Sequence, residues 1–109
     1  MAVSAILVLS TASSRTEALK IAQALLDKRL AACVNILPSL TSLYWWKGRK
    51  EKASEVLLLI KTKKSAFKKL EQMIRKMHSY SVPEIIAIPL TAASKPYLNW
   101  MLKEIDTRL

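Results

Sequence analysis

The sequence predicts an α+β fold in which two helices cover one face of a four-stranded antiparallel sheet. Three observations lead there. Apolar runs suited to strands alternate with stretches of helical spacing in the order strand, helix, strand, strand, helix, strand. The second and third strands are separated only by a short segment holding Gly48, the single glycine, as an antiparallel hairpin requires. Finally, 109 residues without internal repeats or low-complexity tracts describe one domain, residues 1–109, large enough to bury a core without disulfides.

Each element has its own signal. Residues 3–10, VSAILVLS, are aliphatic and β-branched and run into the polar TASS, which marks a buried first strand. Ser14 and Glu17 have the spacing of a capping box, and Ala18, Ile21, Ala22 and Leu25 then form the apolar face of a helix ending near Arg29. An extended run from Leu30 to Trp46 follows, and Pro38 within it demands an edge position or a bulge because proline donates no ladder hydrogen bond. KGRKEKA supplies the turn, and SEVLLLIKTK, residues 54–63, the return strand. A second helix begins near Ser65 and buries Ala66, Leu70, Met73, Ile74 and Met77. VPEIIAIPL is the fourth strand. Pro96 suits the first turn of a terminal helix that groups Tyr97, Trp100, Met101 and Ile105. This order is the split βαβ arrangement of ferredoxin-like sandwiches, with an extended β-hairpin and a C-terminal helix added.

Such a layout leaves one sheet face uncovered, and that face is not polar. Ile6 and Val8 oppose Leu7 and Leu9; Val56, Leu58 and Ile60 oppose Leu57 and Leu59; Ile86 and Ile88 oppose Ile85 and Ala87. A half-exposed antiparallel sheet alternates apolar with polar residues. Here the open face calls for cover, and a short terminal helix is too small to supply it, so self-association is expected.

Eighteen Lys and Arg against eight Asp and Glu give a net charge of +10. Such a chain attracts anions at long range, but its basic residues are scattered rather than gathered. Recognition of specific nucleic acid is not expected: base-stacking modules of this topology carry aromatics on the two central strands, and here those strands have none. Tyr44, Trp45 and Trp46 instead end the hairpin, where successive side chains point to opposite faces. The longest apolar run, residues 56–60, is far too short for a membrane span. One cysteine, Cys33, and no basic leader point to a reducing, cytoplasmic setting. Cys33 with the single His78 cannot fill a four-ligand zinc site, although a symmetric oligomer multiplies each ligand. Phosphate-binding glycine loops are absent, and no nucleophile constellation stands out, so an enzyme is not expected. Glu55 and Glu84 head strand segments and form a candidate carboxylate pair.

Five blocks, KRLAACVN at 28–35, TSLYWWKG at 41–48, SEVLLLIKT at 54–62, HSYSVPEIIAIP at 78–89 and YLNW at 97–100, together resemble the CutA divalent-cation tolerance family. The resemblance implies a ferredoxin-like subunit in a tight homotrimer whose hairpins embrace neighbouring subunits, with a role in tolerance of copper and other divalent metals. It places Tyr44, Trp45, Leu57 and Leu59 at the trimer interface. It also implies a candidate metal ligand at His78, with copper as the ion; Met77 and Cys33 are further candidates because their sulfurs can ligate soft Cu(I). Trp46, Glu55, Lys61, Tyr80 and Glu84 become candidates for a ligand cleft between subunits. The chain departs from the family pattern at Ser79, where a proline is usual, and at Ser81, where an acid is usual. Ser10 and Met77 occupy positions where some relatives carry a copper-binding cysteine and histidine. The outline of the trimer also resembles signalling proteins of the P-II type, which makes sensing of a small anion the alternative.

Overall fold

The computed structural model describes residues 5–109. The elements are β1 (Ala5–Ala12), α1 (Arg15–Asp27), β2 (Cys33–Trp46), β3 (Arg49–Lys63), a short 3-10 turn (Lys64–Ala66), α2 (Phe67–Met77), β4 (Ile85–Pro89) and α3 (Lys95–Glu104). The sheet order is β2-β3-β1-β4 with every pairing antiparallel, as the split βαβ pattern predicts.

The period of two along the strands sorts the side chains between faces. Ile6, Val8 and Ala12 of β1 with Val56, Leu58 and Ile60 of β3 pack against Ala18, Ile21 and Leu25 of α1 and against Leu70 and Ile74 of α2. Thr62 shares this dry face because its hydroxyl donates to the Leu30 carbonyl oxygen at 2.7 Å. The other face carries Leu7, Leu9, Leu57 and Leu59, half-buried, and Ile86 and Ile88 on β4, each about half exposed. Helix α3 closes only one end of it, where Met101 and Ile105 bury Ala5.

Several boundaries differ from expectation for local reasons. Strand β1 continues through Thr11 and Ala12, paired with Leu57 and Val56, so only the serines of TASS form the connection; Val3 and Ser4 lie outside the described residues. Strand β2 starts at Cys33 rather than Leu30, which instead packs into the core. The expected seven-residue turn is a two-residue one, with Lys47 and Gly48 both at positive φ, 51° and 76°. That conformation matches the strand twist and lets the ladder run to the Trp46–Arg49 pair. Pro38 sits in a register shift between Leu37 and Leu40 on an edge strand, as proline requires. Met77 is not buried on α2 but 36% exposed at its last turn. Strand β4 begins only at Ile85, leaving Val82, Pro83 and Glu84 as a loop.

Candidate functional site

The loop from His78 to Glu84 is held by residues brought from three elements. Ser14 caps α1 through its hydroxyl, which accepts from the Glu17 N–H at 3.1 Å. The Glu17 carboxylate does not return to Ser14. One oxygen accepts from the Ser13 N–H and hydroxyl, both at 2.9 Å, and the other from the Ser79 N–H at 2.7 Å. Burial opposes ionisation of Glu17, but these bonds outweigh it and hold the carboxyl down at about 2.

His78 stands beside Glu17, its side chain fully removed from solvent. Its Nδ1 accepts from the Tyr80 N–H at 3.0 Å, which leaves Nε2–H to donate to the Thr11 carbonyl oxygen at 2.7 Å. Both ring nitrogens therefore serve backbone groups, and the neutral tautomer is fixed. The Tyr80 ring lies 4.7 Å from the His78 ring and extends over the sheet, where its hydroxyl donates to Glu55 Oε2 at 2.8 Å. Burial, then the bond to Glu55 and its negative charge, push the Tyr80 hydroxyl up to about 12.

The outcome is a cleft of about 670 Å³ on the open face, walled by Tyr44 and Trp46 of β2, Glu55 of β3, Thr11 of β1, and Tyr80, Val82, Pro83 and Glu84 of the loop. Tyr44 and Trp46 reach it together because alternate residues of β2 share a face; Trp45 points to the opposite side of the hairpin and is 71% exposed. Glu55 is buried, and Glu84 stands at the mouth. Burial and then the Glu55 charge raise the Glu84 carboxyl above its ordinary range. Strands β3 and β4 are not adjacent, since β1 lies between them, so the two glutamates meet across Thr11 rather than along a shared ladder.

Of the cleft residues expected from the sequence, Trp46, Glu55, Tyr80 and Glu84 come together and Lys61 does not. Lys61 lies six residues along β3 from Glu55, roughly 20 Å away, with its ammonium 5.6 Å from the Tyr97 ring centre. The candidate metal ligands are also dispersed. Cys33 is paired with Lys61 at that same far end, whereas the His78 ring is bonded at Thr11. Among the described residues, no group of three or more His, Cys, Asp or Glu side chains is placed to hold a metal ion. Among the described residues, the candidates His78 and Cys33 are thus not brought together in one chain. Leu57 and Leu59 lie on the open face as an interface would need, and Tyr44 lines the cleft.

Comparison with known proteins adds to this geometry. A family model described as CutA1 divalent ion tolerance protein matches residues 6–104. The chain belongs to this family. It is similar to the divalent-cation tolerance protein CutA of Thermus thermophilus, with 48% identity over 94 residues that cover 86% of this chain and 91% of that protein. Similarity to the mouse protein CutA is 46% over 91 residues, covering 84% of this chain but 51% of the mouse protein, so the chain spans about half of that relative. Among solved structures, the Cut A1 divalent cation tolerance protein of Thermus thermophilus matches with a TM-score of 0.92 at 44% identity, covering 94% of this chain and 99% of that one. CutA1 of Oryza sativa matches with a TM-score of 0.93 at 35% identity and 96% coverage of both. The CutA1 assignment thus embraces the sheet, both packing helices, the hairpin and the cleft.

Sequence reasoning missed Glu17, Thr11 and Ser79 as parts of the site. Glu17 had a signal, but the capping-box spacing explained it fully within α1. Nothing local reveals that its second oxygen reaches a loop 62 residues later.

Proposed function

We propose that this CutA1-family chain acts in tolerance of divalent metal ions, copper foremost, as a cytoplasmic, non-enzymatic homotrimer that binds a cation where subunits meet. One observation supports this reading above others: the cleft containing Glu55 and Glu84 opens on the same sheet face that leaves Leu57, Leu59, Ile86 and Ile88 incompletely covered. A copy laid on that face would bury the apolar residues and at the same time close the cleft. Two carboxylates in one cleft favour a cation despite the net charge of +10, because charges farther than about 8 Å are largely screened at physiological salt and the near one, the Lys47 ammonium, lies on the Trp46 ring. The same carboxylates disfavour a small anion. Since no group of three His, Cys, Asp or Glu side chains gathers among the described residues of one chain, further donors would come from the neighbouring copy.

Sedimentation of the purified protein with and without Cu²⁺ tests the reading, joined to calorimetric titration of wild type and Glu84→Gln. A trimer binding about one Cu²⁺ per chain, weakened at least tenfold by the substitution, is expected. A stable monomer, or copper affinity indifferent to Glu84, refutes it.

A further inference from the structure

The size and lining of the cleft bear on what kind of cation it suits. Its volume of about 670 Å³ is roughly twenty times the share of one water molecule in the liquid and falls in the range of sites for small organic molecules. A hard divalent ion seeks six or more oxygen ligands at close range. The cleft offers two carboxylates, one of which already accepts the Tyr80 hydroxyl.

An organic cation makes different demands, and the walls meet them. Glu55 is 8% exposed and its Oε2 accepts the Tyr80 hydroxyl, while its other oxygen keeps access to the cleft and can accept a further donor. Glu84 provides a second acceptor. Tyr44, Trp46, Val82 and Pro83 form an aromatic and apolar wall, which attracts a cation's hydrocarbon body and, through the ring faces, its charge. The Trp46 ring already draws one cation, the Lys47 ammonium, to 5.9 Å from its centre. We propose that the cleft binds a protonated primary amine, its ammonium between Glu55 and Glu84 and its hydrocarbon body against Tyr44 and Trp46. This rests on the cleft being the cation site, and not on a metal occupying it.

Isothermal titration of the assembled protein at pH 7.5 with three related probes tests the assignment: tyramine, the uncharged 4-ethylphenol, and the anionic 4-hydroxyphenylacetate. Tyramine is expected to bind about tenfold tighter than 4-ethylphenol, with no binding of the anion. Glu84→Gln should bring tyramine close to 4-ethylphenol, and Trp46→Ala should weaken both, with circular dichroism reporting whether each variant is folded. Should a variant fail to fold, the wild-type comparison of the three probes decides alone. Equal affinity for tyramine and 4-ethylphenol, no tyramine binding, or a folded Glu84→Gln variant with unchanged tyramine affinity overturns the proposal. Copper binding that depends on Glu84 without any tyramine binding overturns the amine assignment and leaves the metal reading standing; tyramine binding without copper binding does the reverse.

Discussion

At the scale of single residues, the decisive arrangement is the set of bonds that pins one loop: Glu17 accepts from the Ser79 N–H, His78 joins the Tyr80 N–H to the Thr11 carbonyl oxygen, and the Tyr80 hydroxyl donates to Glu55. The first of these carries a pH signature. The Glu17 carboxyl falls from an ordinary 4.5 to about 2 in the folded protein, so the stability it contributes is present above pH 4.5 and disappears as pH drops towards 2. After allowance for solvent screening this is about 2 kcal/mol. Thermal melts between pH 2 and 7 should therefore show an acid loss that Glu17→Gln lessens, the Asp106 carboxyl, also held down at about 2 by its bonds to Arg108, supplying part of the rest; a variant with the same acid slope as wild type contradicts it. Glu84 has the opposite sign. Its raised carboxyl binds protons more readily folded than unfolded, so its ionisation costs stability as pH rises above the ordinary carboxylate range. Glu84→Gln should raise the Tm of the protein at pH 7. His78, with both nitrogens on backbone groups, is a structural support for the loop: His78→Ala should cost about 2 to 3 kcal/mol in denaturant unfolding.

At the scale of elements, the hairpin is the informative case. Its length follows from a turn of two residues, both in the left-handed region, which glycine tolerates freely and lysine does not. Lys47→Asn, which relieves part of that strain, should stabilise by roughly 0.5 kcal/mol. Gly48→Ala should cost about 1 kcal/mol although an added Cβ would meet nothing within 4 Å, because the penalty lies in the backbone alone. Chemical denaturation of both variants measures these differences, and opposite signs would refute the turn assignment. The turn also explains why the sequence reading shortened β3: four basic residues around one glycine look like a loop, whereas exposed ladder positions at a hairpin tip tolerate charge.

At the scale of the whole molecule, the two faces of the sheet have different fates. One is sealed by α1 and α2, and the other keeps its leucines half-covered with only one end under α3. The hairpin projects from this body and gives the chain its 45 × 26 × 22 Å extents. If the open face is where copies meet, a charge placed there should separate them without unfolding the helix-covered core. Leu59→Glu is expected to sediment as a folded monomer, while Leu58→Ala, one residue away but facing the helices, should lower stability by about 2 to 5 kcal/mol. A Leu59→Glu protein that remains associated would show that the interface lies elsewhere.

The sequence alone determined the element order, the antiparallel hairpin, the need for an edge position or a bulge at Pro38 and the apolar character of both sheet faces, because periodicity and backbone chemistry are properties of neighbouring residues. Its five matching blocks also carried the family. The end of β1 at Ala12 was hidden because Thr11 and Ala12 run straight into two serines, and the start of β3 at Arg49 because charged residues on exposed ladder positions resemble a loop. Only the tertiary structure decided that Glu17 secures Ser79, that His78 spends both nitrogens on the backbone, and that Lys61 and Cys33 lie at the far end from the cleft. It also decided that Glu55 and Glu84 confront each other across an intervening strand. These are meetings of residues distant in the chain, fixed by sheet order and by bonds that no local pattern encodes.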